Sequence, residues 1–284
     1  MGVHMARRLA EAGHAVSAWN RTAAKAEPLK SFGISIASSP EAAAQGADAV
    51  IVMVSDGPAS DGVIHGAGEA GGLLGMMGEG TTLIVMSSIP VETAAAQGKS
   101  ALEKGIRYLD APVSGGEPGA RDGALTIMAG GDAQAFADMQ PIFAVMGRST
   151  HVGPAGAGSL AKLANQVIVG NTIQTVAEAL LLVQAGGADP LAVIEALKGG
   201  FADSPILQNH GSRMVAGNFE PGGRCEIQLK DTRTAEELGS SLGITMPMTS
   251  QARETYQNLV DNGQGGLDHN AAWLDLRRRG GLDA

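Results

Sequence analysis

The 284-residue chain is 44% hydrophobic with a formal net charge of −9, enough apolar content for two ordinary domains, and its acidic balance excludes a general phosphate-binding face, which needs clustered Lys and Arg. Aromatics are only 3% of the chain, too few for base-stacking platforms, so no nucleic-acid partner is expected. The single cysteine, Cys225, excludes an intrachain disulfide and points to a reducing, cytoplasmic compartment, and no run of about 20 uninterrupted apolar residues marks a membrane span.

In chain order, helices are expected at 3–12, 22–31, 40–45, 91–104 and 133–146. Strands are expected at 15–19, 34–37, 49–54, 82–86, 107–111, 125–129 and 150–152. Short Val/Ile/Leu runs alternating with Ala-rich stretches predict a parallel α/β sheet. Gly13, Gly33 and Gly105 fall just beyond helices, where a left-handed turn suits glycine. After the Gly-rich segment 153–158 the strand signals stop, and one long helical pattern runs over 159–185, with further helices to the end. The fold class is therefore α/β, a Rossmann-like domain at 1–153 followed by an all-α domain at 154–284 that opens on a long interdomain helix. The basic run Arg277-Arg278-Arg279 reads as a solvated tail.

Met1-Gly2 entering a helix, Gly13 leaving it and a strand rising to Trp19 is the order of a dinucleotide-binding unit. In such a unit the last fingerprint glycine opens the helix, so that a pyrophosphate meets unpaired amides and the positive end of the helix dipole. Met1 and Gly2 are the candidates for this turn. The preceding strand and the first two glycines of the Gly-x-Gly-x-x-Gly fingerprint are missing, and one glycine alone carries almost no signal. About 20 residues on, where an NAD site has Asp or Glu, the chain has Asn20-Arg21-Thr22. A guanidinium pairs with a 2′-phosphate that a carboxylate would repel, so NADP(H) is favoured over NAD(H). Taken without the elements around it, Arg21 is a helix-flanking surface charge.

Six blocks follow one another along the chain: Asn20-Arg21-Thr22, Met53-Val54-Ser55-Asp56, Ser87-Ser88-Ile89-Pro90, Asp110-Ala111-Pro112-Val113-Ser114-Gly115-Gly116, the stretch 156–165 from Gly156 to Asn165, and Lys230-Asp231. In these blocks and their order the chain resembles the β-hydroxyacid dehydrogenase family, which includes 3-hydroxyisobutyrate dehydrogenase and 2-hydroxy-3-oxopropionate (tartronate semialdehyde) reductase. The resemblance covers essentially the whole chain. It implies an NAD(P)-dependent oxidoreductase that moves a hydride between NADP(H) and a small β-hydroxyacid or semialdehyde acid, with a second domain for substrate and dimerisation. It also implies a homodimer or homotetramer. By the same resemblance Ser114, Gly115 and Gly116 bind the substrate acid and Asn165 orients it. Val54, Ser55 and Ser88 line the nicotinamide and ribose, and Lys230 reaches the cofactor. Family members begin with an apolar strand leading into Gly-Leu-Gly-x-Met-Gly, which implies that this chain is shortened or read from an internal methionine. Val85 and Gln166 are smaller departures, standing where Asp and a second Asn are frequent.

Oxidising an alcohol by hydride transfer needs a group that takes the hydroxyl proton, and the reverse direction needs the same group to return it. Lys162 is the candidate. At 100° per residue Leu160, Leu163, Ala164 and Val167 fall on one side of the helix, with Lys162, Asn165 and Gln166 largely on the other. The apolar side is expected to pack and the polar side to line a cleft. A lysine partly desolvated there, beside a positive nicotinamide, would hold its proton less tightly and serve as acid or base. Judged without the family, it is an ordinary solvated helix residue.

Ser114-Gly115-Gly116 follows a strand at the carboxyl edge where open α/β sheets bind ligands, and the two glycines admit close backbone approach to a carboxylate. Its bland alternative is a plain turn. Lys230 alone would be half of an ion pair with Asp231, His151 reads as structural, and the six histidines lack metal-ligand spacing. Two other readings stay open. One is an imine-reducing relative, a group that generally lacks the lysine; the other is a non-catalytic nucleotide-binding protein. A 6-phosphogluconate dehydrogenase fits less well, because the helical region is too short.

Overall fold

The computed structural model describes residues 1–66 and 72–282. They form two compact units, Met1–Lys162 and Leu163–Ala284, the last two residues lying outside the described set. The change in composition falls at 153/154, whereas the packed units divide inside a helix.

The first unit opens with helix α1 (Gly2–Glu11), which buries Met5 and Leu9. The chain turns at Gly13, φ +92°, into strand β1 (Ser17–Ala18), parallel to β2 (Ser35–Ile36). This ribbon is separate from the main sheet, so the expected single sheet is in two pieces. The expected helix at 22–31 is instead two 3₁₀ segments, Ala23–Lys25 and Glu27–Phe32, because Pro28 has no N–H to continue an α-helical ladder.

The main sheet contains β3 (Ala49–Val52), β4 (Thr82–Val85), β5 (Arg107–Asp110), β6 (Val113–Ser114), β7 (Leu125–Gly131) and β8 (Gly147–Gly153). Its order is β3-β4-β5-β7-β6, with β8 on β7. β3, β4 and β5 are parallel as expected, and β7 adds antiparallel pairing to both β5 and β6. β6 and the short helix α6 (Gly116–Asp122) return the chain directly, with no crossover long enough to bring β7 back in parallel with β5.

Successive strand residues face opposite sides. Ile84 and Leu109 join Met5 and Leu9 of α1, Ala135 of α7 (Ala133–Asp138) and Phe143 of α8 (Gln140–Met146). Leu83, Val85 and Tyr108 face the other way, toward Ala44 of α2 (Pro40–Ala44), Ile64 of α3 (Gly57–His65), Leu73 of α4 (Gly72–Met76) and Ala94 of α5 (Val91–Leu102). The expected helix at 133–146 breaks at Met139, with Pro141 in the first turn of α8.

Helix α9 (Ala157–Ala185) starts in the first unit and continues into the second. There Ile173, Val176, Ala177 and Leu180 pack with residues from α12 (Cys225–Ser241), α13 (Pro247–Asp261) and α14 (Ala272–Arg279) around Tyr256, Leu259 and Trp273. By length and composition α9 is apolar enough to cross a membrane. The expectation of no such stretch rests on uninterrupted runs, which Lys162, Asn165 and Asn171 break; one face of α9, with Ile173, Val176, Ala177 and Leu180, packs into the core of the second unit.

Which side of α9 packs is also corrected. Leu160 is 46% and Ile168 65% exposed, while Gln166 turns toward α12, its Nε2 donating to Asp231 Oδ2 at 2.7 Å. Gln228 Nε2 donates to the Gln166 carbonyl at 2.9 Å. Polar side chains pack here because each finds a partner.

Candidate active site

Because β3, β4 and β5 run parallel, their carboxyl ends share one edge. Val54 and Ser55 follow β3, and Ser87 and Ser88 follow β4. The Val54 amide donates to Ser87 Oγ at 2.7 Å, and Ser87 Oγ lies 3.4 Å from the Val52 carbonyl. Ser87 is fully buried, whereas its candidate neighbour Ser88 is partly exposed. The exposed Ser55 donates its Oγ to Asp56 Oδ2 at 2.7 Å, and Asp56 Oδ1 caps α3 by accepting the Ala59 amide.

Gly2 lies against this edge: a Cβ placed on it would stand 3.9 Å from the Cβ of Met53. Met1 is the N-cap of α1 and gives it no side-chain cap, leaving first-turn amides for an anion. After β1, Asn20 Oδ1 accepts the Thr22 amide at 2.9 Å, forming the turn that carries exposed Arg21. An uncapped helix start and a close glycine fit the pyrophosphate of a dinucleotide.

Ser114 ends β6 opposite Thr126. Gly115 and Gly116 have φ +125° and +63°, which only glycine adopts without strain, and both are exposed at the start of α6. His4 Nε2 of α1 lies 2.9 Å from Glu117 Oε1, tying α1 to the residue after Gly116. That hydrogen bond, first among the causes, holds the Glu117 carboxyl below its usual range.

Asp110, at the end of β5, is fully buried. Its Oδ1 accepts the Gly156 amide at 2.8 Å and its Oδ2 the Ser159 amide at 2.6 Å. Burial pushes the carboxyl up and the two amides oppose the shift. Lys162, partly buried, lies three residues beyond Ser159 on α9. The first unit thus gathers Gly2, Val54, Ser55, Ser88, Ser114 to Gly116 and the start of the Lys162 helix along one sheet edge. Asn165 and Lys230 belong to the second unit. There Asn165 Nδ2 donates to Gln166 Oε1 at 2.9 Å, and Lys230 Nζ lies 3.2 Å from Asp231 Oδ1. Ser87 and Asp110 are missing from the candidates read in the sequence, although both stand inside its motifs. Their signal is a short polar residue closing an apolar strand at the ligand-binding edge.

Histidine spacing also conceals one juxtaposition in the second unit, where ligand atoms of His210, Asp268 and His269 lie within 4.8 Å of one another. Asp268 Oδ2 accepts the amides of Gly222 at 2.7 Å and Gly223 at 3.0 Å, and Oδ1 accepts that of Asn270 at 3.2 Å. Arg213 Nη1 stands 3.4 Å from the same Oδ1. With its lone pairs taken and a cation beside it, Asp268 is a structural hub. His151 Nε2 lies 2.9 Å from the Gly131 carbonyl, its ring 5.3 Å from that of Phe136, a structural setting.

Residues 1–154 match the family model described as the NAD binding domain of 6-phosphogluconate dehydrogenase. Residues 156–274 match the model described as NAD-binding of NADP-dependent 3-hydroxyisobutyrate dehydrogenase. The chain is 40% identical over 273 residues to 2-hydroxy-3-oxopropionate reductase of Escherichia coli (strain K12), covering 95% of this chain and 92% of that protein. It is 32% identical over 272 residues to glyoxylate/succinic semialdehyde reductase 1 of Arabidopsis thaliana, covering 95% and 93%. Among solved structures, 3-hydroxyisobutyrate dehydrogenase of Mycobacterium tuberculosis with L-serine matches at TM-score 0.87 and 26% identity, covering 98% of this chain and 96% of that one.

Proposed function

Because the chain belongs to the β-hydroxyacid dehydrogenase family, we propose that it moves a hydride between NADP(H) and a small semialdehyde acid or β-hydroxyacid, with Lys162 as general acid and base. The chain is an NAD(P)-dependent oxidoreductase acting on CH–OH groups, of the 3-hydroxyisobutyrate dehydrogenase and 2-hydroxy-3-oxopropionate reductase type.

The nicotinamide supplies the hydride when bound, and the chain's own residues do the rest. Arg21 pairs with the 2′-phosphate, and the first amides of α1 meet the pyrophosphate. The Gly115 and Gly116 amides and the Ser114 hydroxyl hold the substrate carboxylate. The Lys162 ammonium gives its proton to the carbonyl oxygen as the carbon is reduced, and the free amine takes it back in the oxidative direction. Asn165 as the group orienting substrate, and Val54, Ser55, Ser88 and Lys230 as cofactor contacts, belong to the same proposal. So does 2-hydroxy-3-oxopropionate as the first substrate to assay, since it is named for the Escherichia coli relative.

The observation that carries this reading is the attachment of the helix bearing Lys162 to the last residue of β5, four residues before Ser114. Self-association is part of the proposal, supported by Ile168 and Leu182 of α9 at 65% and 76% exposed. A cytoplasmic setting is too, with the lone Cys225 suited to a reducing compartment.

The test is Lys162→Ala, assayed with 2-hydroxy-3-oxopropionate and NADPH. Turnover is expected to fall by at least about 100-fold, within the range of general acid–base contributions, with NADPH binding retained by fluorescence titration. Undiminished turnover would remove Lys162 from the reaction.

A further inference from the structure

Asp110 closes the amino end of α9 from outside the helix. A helix start leaves up to four amides without intrahelical acceptors. A capping box satisfies two of them, at the residue before the helix and at its third position, with side chains of the helix itself. In α9 those two positions are Gly156 and Ser159, and a single carboxylate on the neighbouring strand takes both amides, at 2.8 Å and 2.6 Å.

The fit around this carboxylate is backbone against backbone. A Cβ on Gly158 would stand 2.1 Å from the Asp110 carbonyl oxygen and 2.4 Å from that of Met128. A Cβ on Gly130 would stand 2.6 Å from both Asp110 Oδ1 and the Gly158 nitrogen. The first turn of α9 is therefore keyed to β5 and β7 with no side chain between them. Lys162 lies three residues past Ser159, on the same face of the helix. Along the strand segment, Asp110 leads in four residues to Ser114.

We propose that Asp110 is a positioning residue for the reaction: by holding the Gly156 and Ser159 amides it sets where the Lys162 amine stands relative to the sheet edge that carries Ser114, Gly115 and Gly116. The inference rests on Lys162 being the proton-transfer group. It differs from a purely architectural role in one respect, that the catalytic value of Asp110 exists only while the amine is there to be positioned.

That difference is measurable in a double-mutant cycle on kcat with Asp110→Asn, Lys162→Ala and the double variant. Asn keeps the shape but sets a carboxamide N–H against one of the two amides. Asp110→Asn is expected to lower kcat by about 10- to 100-fold, as a misplacement near 1 Å does, with the NADPH dissociation constant changed by less than about 3-fold. Hydrogen exchange across 155–161 is expected to quicken. The double variant is expected to be no slower than Lys162→Ala within about 2-fold, because no amine remains to misplace. Penalties that multiply, or wild-type kcat in Asp110→Asn, overturn the proposal while leaving Lys162 in place. Undiminished turnover in Lys162→Ala overturns the proposed function and this inference together. Should Asp110→Asn not fold, Asp110→Ser removes the carboxylate without introducing the opposed N–H and enters the same cycle.

Discussion

The Val54 amide donates to the Ser87 hydroxyl at 2.7 Å, joining the segments that leave two adjacent parallel strands. Ser87→Ala strands that amide, at a cost of about 1–3 kcal/mol for a buried donor left without its acceptor. It also loosens the Val54-Ser55 segment proposed to meet the cofactor. Stability in urea is expected to fall by about that amount, and the NADPH dissociation constant to rise by roughly 5-fold, the equivalent of ~1 kcal/mol. An NADPH affinity equal to wild type in fluorescence titration would separate this hydrogen bond from cofactor binding.

Arg21 stands at the turn held by Asn20 and Thr22, with no carboxylate among the three residues. A charge-assisted hydrogen bond contributes about 1.5–3 kcal/mol. Arg21→Ala is therefore expected to lower kcat/KM with NADPH by roughly 10- to 100-fold, with the value for NADH nearly unchanged. Equal losses with both cofactors would argue against a contact with the 2′-phosphate.

Gly158 meets strand backbone that cannot move aside, a Cβ there standing 2.1 Å from one carbonyl oxygen and 2.4 Å from another. Gly158→Ala is expected to cost at least about 3 kcal/mol, an overpacking penalty at the upper end of its range, and equilibrium urea denaturation measures it. Gly62 offers the control within the same unit, since a Cβ there meets no atom of the described residues within 4 Å; Gly62→Ala should hold or raise stability.

Asp268 is fully buried. Burial acts to raise its carboxyl pKa, but the His210 imidazole with Nδ1 3.6 Å from Oδ1, the Gly223 and Gly222 amides and the charge of His269 outweigh burial and hold it well below the usual range. A carboxyl depressed in the folded state stabilises the fold above the unfolded value of about 3.9, and that contribution is lost as pH falls toward the folded value. Asp268→Asn should cost about 3 kcal/mol at pH 7. The gap from wild type should narrow only below about pH 4. A gap that stays constant from pH 7 to pH 3 would contradict this assignment.

Burial, with the Asp268 charge behind it, pushes the Cys225 thiol up to about 12, and the thiolate is the reacting form. The native protein should leave a disulfide reagent such as dithionitrobenzoate untouched for hours. One equivalent should react once guanidinium unfolds the chain. Rapid labelling of the folded protein would show that the second unit opens around this residue.

Strands β3 and β4 are legible in the sequence because each is a short run rich in Val, Ile or Leu bounded by turn residues, β4, expected at 82–86, spanning Thr82–Val85; the two-residue β6 is not among the expected strands. The direction of β7 is not legible, since it follows from the two-residue strand β6 and the short connection after it. Nor is the packed side of α9: Gln166 is half-buried, turned inward by a hydrogen bond to Asp231, 65 positions away in the chain. Arg21, Ser114 and Lys162 announce themselves by charge or by a Gly-rich setting. Ser87 and Asp110 serve backbone amides 33 to 49 positions away, partners that no local pattern displays.

Helix α9 runs 29 residues in one piece, about 43 Å at 1.5 Å per residue. A rod gripped at one end turns a small angular error into a displacement that grows with distance from the grip. Lys162 lies six positions past Gly156, roughly 9 Å along the axis, so a tilt of about 6° carries its backbone about 1 Å sideways, a shift able to slow a well-aligned reaction by ~100-fold. One hydrogen bond would leave the rod free to swivel about that bond. Two, reaching one carboxylate from different heights on the helix, oppose both swivel and tilt.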